Sequence, residues 1–251
     1  MKYQGLLLVI LYQFNVFAVD QTRVKGEDYS AAAKRLLHQS KEDHLVSAYA
    51  TALPINELQF PPMVEWKDNK QMINAFKKGR DLRFLNWYQE KRPFKRRSTW
   101  LYPDNGCYAR AELLVRNLLA WKFSPLYKAF VFGNLEVESS NSPDTIYWWY
   151  HVVPVVKLQG EYFVFDPAIF PSSPLPLNQW LETMVGDINQ VKVSICSAHT
   201  YDPGSPCLKE IIVSIDEVLN DQDSFLDLEW ERIETLGRIP MQELGDSPPW
   251  N

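Results

Sequence analysis

The sequence predicts an α+β fold: a helix that carries a thiol at its first position, packed on an antiparallel sheet. Three observations point there. Pro103, Asp104, Asn105 and Gly106 make a turn that ends at Cys107, and Ala111, Leu114, Val115 and Leu118 follow on one helical face. Trp148–Val156 and Glu161–Phe165 read as two strands joined around Leu158, Gln159 and Gly160. Candidate strands at Val191–Cys196 and Ile211–Ile215 flank a proline- and glycine-rich loop with Cys196 and Cys207 at its ends.

The chain has 251 residues, of which 46% are hydrophobic and 14% aromatic, enough for one sizeable core. Its net charge of −5 lacks the basic face that nucleic-acid binding needs. The exception is Lys91 to Arg97, which reads as a solvated loop, with a processing site or an anionic contact as the sharper alternative.

In chain order, residues 1–18 read as a secretory signal: Lys2, an apolar run from Leu6 to Leu11, and a small-residue end at Ala18. That run is too short to span a bilayer, so no membrane contact is expected after cleavage. The protein is then secreted or periplasmic. Residues 19–65 form an N-terminal segment, with helix in two pieces from Asp28 to about Ala52 and a connector from Pro54 to Pro62. His38 and His44 fall there as surface histidines. A catalytic domain over 66–251 follows.

That domain opens with a helix from Asp68 to about Gln89, weakened by Gly79 and stopped by Pro93. The Cys107 helix runs to about Trp121. Lys128–Phe132 and Leu135–Glu138 are extended on either side of Gly133 and Asn134. The strand pair comes next, with Pro154 implying an edge or a bulge. Leu177–Val185 and Leu226–Leu236 read as helices, and Gly245–Asn251 as a frayed end.

In an oxidising compartment, Cys196 and Cys207 read as a disulfide closing a short loop, worth roughly 2–3 kcal/mol in the entropic model. Cys107 is then the odd thiol. The unpaired N–H groups and positive dipole end at a helix start favour thiolate over thiol. A small buried hydrophobe is the plain alternative. His151 and Asp166 lie on the strand pair. A loop of Leu158 and Gln159 sets them directly opposite. A loop of Gln159 and Gly160 makes them diagonal neighbours on one face, whereas a three-residue loop separates them. An imidazole oriented by a carboxylate is what a cysteine nucleophile needs; a structural His–Asp hydrogen bond is the alternative.

Four blocks of sequence resemble, in order, the signatures of bacterial protein-glutaminases. They are Tyr102-Pro-x-x-Gly-Cys-Tyr-Ala-Arg-Ala111, Phe130-Val-x-Gly-Asn-Leu135, Trp148-x-Tyr-His-Val152 and Phe165-Asp-Pro-x-x-Phe170. The resemblance covers about residues 98 to 185. It implies a transglutaminase/papain-like core and a secreted protein-glutamine deamidase, with Cys107 as nucleophile, His151 as base and acid, and Asp166 as the orienting carboxylate. Its partners would be proteins or peptides bearing glutamine. It also implies a precursor whose pro-segment covers the cleft, an autoinhibitory part open to the segment after Ala18. Residues 19–65 and 190–251 match none of the blocks, and the chain has fewer cysteines than the secreted members.

The expected reaction passes through a thioester, with the Cys107 N–H among the donors to the oxyanion. Trp148 and Trp149 would wall the substrate cleft or pack the core. No metal or organic cofactor is expected. The rival readings are a transglutaminase or a cysteine peptidase on the same core, and a catalytically silent binding module.

Overall fold

The computed structural model describes residues 21–37, 47–89, 92–123, 126–209 and 211–250. In chain order the elements are α1 (Tyr29–Leu37), β1 (Leu53–Pro54), α2 (Asn69–Asp81), β2 (Leu85–Gln89), β3 (Arg92–Arg96), α3 (Cys107–Ala120), β4 (Tyr127–Val137), β5 (Ile146–Leu158), β6 (Glu161–Val164), β7 (Leu175–Pro176), α4 (Leu177–Glu182), β8 (Lys192–Ser197), α5 (Ile215–Asp223), α6 (Leu226–Thr235) and α7 (Pro240–Glu243). Six strands form one antiparallel sheet in the order β1-β8-β4-β5-β6-β7, and β2 pairs with β3 alone. This is the expected α+β architecture.

Strand alternation divides the core. Phe130, Phe132 and Val152 pack against α3, α1 and α5 through Ala109, Leu113, Ala32 and Val218. Ala129, Val131, Val153 and Val155 pack on the other side against Leu177, Trp180 and Leu181 of α4. Covered on both faces, β5 reads in sequence as an almost unbroken apolar run. Gly133 and Asn134 sit at a register shift between Phe132 and Leu135, a bulge in β4.

Two features of β5 place the site. Its partner β4 runs along 146–155, while on the opposite edge β6 pairs only with 155–158. The rest of that second edge is taken by the N-terminal segment. Thr22 bridges Trp148, Trp149 N–H donates to the Gln21 carbonyl at 3.2 Å, and Arg23 N–H donates to the Tyr147 carbonyl at 2.9 Å.

Several expectations are corrected. β5 is an interior strand, so Pro154 marks neither an edge nor a bulge. Its carbonyl accepts from Phe165 N–H at 2.9 Å, so its missing donor faces the chain just past the end of β6, where no ladder bond is lost. The helix after Asp68 stops at Asp81, and Leu85–Gln89 is a strand. Gly79 belongs in that helix because a Cβ there would lie 2.2 Å from Leu114 Cδ1, where α2 crosses α3. The basic run is not a solvated loop at its end. Arg96 is buried against Glu229 at 2.5 Å, and Arg97 donates to the Leu244 and Gly245 carbonyls.

Ile211–Ile215 is no strand: α5 begins at Ile215, capped by Ser214, whose hydroxyl accepts from Glu217 N–H at 3.1 Å. The end of the chain is tied down through Trp250, whose indole N–H donates to Asp81 at 2.9 Å. Residues 47–52 form a turn instead of a second helical piece, with Ser47 bridging Pro206. The signal reading of 1–18, together with His38, His44, Leu45 and Val46, lies outside the described residues. No helix among the described residues is long and apolar enough to cross a membrane.

Candidate active site

Gly106 starts the site. It adopts φ +82°, and a Cβ would fall 2.8 Å from the Phe225 ring, so only glycine fits on both counts. From it α3 begins with Cys107, which is free and buried. The turn before it is held by Arg110, one helical turn on. Its Nη1 donates to the carbonyls of Thr99, Tyr102 and Asn105. Behind that turn, Glu229 bonds Leu101 N–H at 2.8 Å while paired with Arg96.

The hairpin loop is Gln159 and Gly160, with Val155 opposite Val164 and Leu158 opposite Glu161. This makes Asp166 the diagonal neighbour of His151. The two meet: His151 Nε2 lies 2.9 Å from Asp166 Oδ2, both nearly fully buried. Trp180 N–H donates to the same carboxylate oxygen at 2.9 Å, and Trp148 stacks on the imidazole with ring centres 4.4 Å apart. His151 Nδ1 has no hydrogen-bond partner among the described residues, which leaves it for the Cys107 side.

Burial pushes the His151 pKa down. The Asp166 carboxylate and a hydrogen bond to it, helped by Cys107, outweigh burial and raise it to about 9. Asp166 is raised by burial but held below the usual carboxylate range by His151, Trp180 and Arg110. Burial, with Cys107 beside it, puts the Tyr150 phenol well above its ordinary value. The arrangement favours a charged imidazole against an ionised carboxylate next to a thiol, which suits nucleophilic chemistry.

The site is closed. Cys107, Arg110, His151, Val152, Pro154, Phe165 and Asp166 line a cavity of about 10 Å³, room for one water. Gln21 does not line that cavity, but it is fully buried and reaches Cys107 from the backbone side. The Gln21 side-chain oxygen accepts from the backbone N–H of Cys107 at 3.0 Å, and its Nε2 has no partner among the described residues.

Residues 72–184 match the sequence model of a family described as glutaminase. The matched segment covers less than half of the chain. It contains Cys107, His151 and Asp166 and runs from α2 through α4. Among solved structures the chain is similar to a mutant of pro-protein-glutaminase, with 20% identity over 69% of this chain and 62% of that one and a TM-score of 0.49. It is similar to protein-glutaminase from Chryseobacterium proteolyticum as well, with 23% identity over 63% and 83% and a TM-score of 0.43. The chain thus spans about 62% of the pro-protein-glutaminase that it matches. No curated protein matches the chain by sequence.

Trp148 and Trp149 are both fully buried. Trp148 lies on His151, with its indole N–H on the Asp104 carbonyl at 2.9 Å. Trp149 packs on Phe132 and Tyr49 in the core beside α3. Cys196 and Cys207 form a disulfide with Cα atoms 4.5 Å apart. Among the described residues, no group of three or more His, Cys, Asp or Glu side chains is placed to hold a metal ion.

Sequence reasoning missed Gln21, Trp180, Arg110 and Tyr150. Arg110 and Tyr150 stood inside the signature blocks, but nothing in the pattern assigned them partners. Trp180 is one apolar position of a short helix. Gln21 is a polar residue in what reads as a linker.

Proposed function

We propose that the chain is a secreted protein-glutamine glutaminase that hydrolyses the side-chain amide of protein-bound glutamine to glutamate and ammonia. The observation that carries this reading is the convergence of Cys107, His151 and Asp166 in one buried site inside the segment that matches the glutaminase model. The Cys107 thiolate attacks the amide carbon, and the Cys107 N–H, which already holds a carboxamide oxygen, donates to the oxyanion. The C–N bond breaks as charged His151 gives its proton to the leaving ammonia. A water then attacks the thioester, loses its proton to the same ring, and frees the thiolate and the acid. Asp166 keeps the proton on Nε2 and the ring turned toward the thiol. In this reading Trp148 fixes the ring from its flat side, while Trp149 packs the core instead of walling the cleft.

Gln21 occupies the Cys107 N–H and is fully buried, so an outside glutamine has no access to that donor while the segment is in place. The segment around Gln21 is therefore proposed as an inhibitory pro-segment that must leave before outside substrates enter. Ammonia release from a glutamine-rich protein, with intact masses, tests the function on wild type and Cys107→Ala before and after limited proteolysis. Deamidation lost in the mutant supports it. Amine adducts would indicate a transglutaminase and cut chains a peptidase. Wild type inert in both states would end the proposal.

A further inference from the structure

The segment that closes the site presents a glutamine to it. We infer that Gln21 is the chain's own first substrate, deamidated in cis by Cys107 to leave glutamate at position 21. The inference rests on the activity proposed above.

Three features single out Gln21 as substrate and not as plug. Its carboxamide oxygen sits on the Cys107 N–H, the donor that an oxyanion would use, and its carbonyl carbon is one bond from that oxygen. Its Nε2, the atom that must leave, has no hydrogen bond to any described residue, so no contact there holds the ground state. Its backbone is fixed from its own carbonyl onward. Trp149 N–H bonds its carbonyl, and Arg23 is clamped two residues on. The Arg23 guanidinium donates to the Trp148 carbonyl at 3.0 Å, lies 3.6 Å from Glu136 and stacks over Tyr147 at 5.6 Å. A group held in this way reacts intramolecularly, with the loss of freedom already accounted for.

The step balances without a co-reactant beyond water. The Cys107 sulfur bonds the Gln21 carbonyl carbon, the C–N bond breaks, and nitrogen departs as ammonia with the His151 proton. Water then replaces sulfur and leaves glutamate. The product is a carboxylate in a buried site that already holds the Asp166 charge. Glutamate at position 21 therefore loosens the segment, which makes the reaction a one-way opening step.

Peptide mass mapping of the full-length chain over time, in ordinary and in ¹⁸O-labelled water, tests this. Wild type should convert Gln21 to glutamate with a half-time independent of protein concentration and take up one heavy oxygen, while Cys107→Ala keeps its glutamine. A Gln21→Glu chain should act on a denatured glutamine-rich protein without the lag of wild type. If proteolysed wild type deamidates that protein but the intact chain retains Gln21, the inference falls and the proposed function stands. If wild type converts Gln21 of the Cys107→Ala chain at a rate that scales with wild-type concentration, the reaction is in trans and the inference falls likewise. If neither Gln21 nor added protein reacts in any state, the proposed function fails with it.

Discussion

Asp166→Asn is the sharpest test of the proposed chemistry. Asp166 Oδ2 accepts from both His151 Nε2 and Trp180 Nε1. An asparagine has one acceptor oxygen at its end. If that oxygen takes the Oδ2 place it still accepts from both and only the charge is lost; if the NH₂ takes it, it faces His151 Nε2 and drives the ring proton to Nδ1, the side that must take the thiol proton. The charge is lost as well. His151 stands at about 9 against an ordinary 6.5, a gap worth about 3 kcal/mol in favour of the charged ring. That amount alone shifts the equilibrium between charged and neutral ring about 10²-fold. Without the carboxylate, burial favours the neutral ring and only Cys107 still opposes it.

Deamidation by Asp166→Asn, assayed as ammonia release across pH, should fall by at least about 10²-fold. Its alkaline limb should move down from near 9. Stability follows the same sign. A folded pKa raised above the unfolded one stabilises fully below 6.5 and is lost as pH rises through about 9. The urea midpoint of the variant should therefore trail wild type most near pH 6, with the gap closing toward pH 9. A variant with wild-type rate and an unmoved alkaline limb would refute the role given to this carboxylate.

Three further outcomes are expected. Gly106→Ala must hold a side chain at φ +82° and 2.8 Å from Phe225; it should cost about 1–3 kcal/mol in urea denaturation and lower activity more steeply, and an unchanged midpoint would contradict this. Glu112→Gln leaves Lys128 buried without its carboxylate at 2.6 Å and should cost about 3–5 kcal/mol, part of which Lys128→Met in the same chain restores. Burial raises Glu112, but Lys128, His199 and Arg116 hold it at about 2, so its stabilisation is present above 4.5 and lost as pH falls through about 2; the variant should lose less on acidification. If outside substrates pair with β5 as the Gln21 segment does, peptides with arginine two residues after glutamine should react about tenfold faster than those with aspartate there, and equal rates would count against that register.

Where a function depends on local order, the chain was legible. A turn, a glycine and a run of apolar offsets place Cys107 at a helix start because helix geometry is set within a few residues. Hairpin register did the same for His151 and Asp166, since two-fold alternation leaves only a few arrangements. What escaped were contacts made across the fold. Leu85 met the helical spacing of α2, yet the next residues pair with Arg92–Arg96. Arg96 and Arg97 read as solvated because charge is usually outside, and nothing local announces Glu229 or the Leu244 carbonyl as their partners. Gln21 is the extreme case. Its neighbours in sequence are unremarkable, and its meaning comes from an edge of β5 that β6 leaves open, 126 positions away at Tyr147. An open strand edge must be paired or covered. Here the cover is an extended segment whose glutamine bonds the Cys107 N–H, so the feature that meets the needs of the fold also supplies the substrate proposed above.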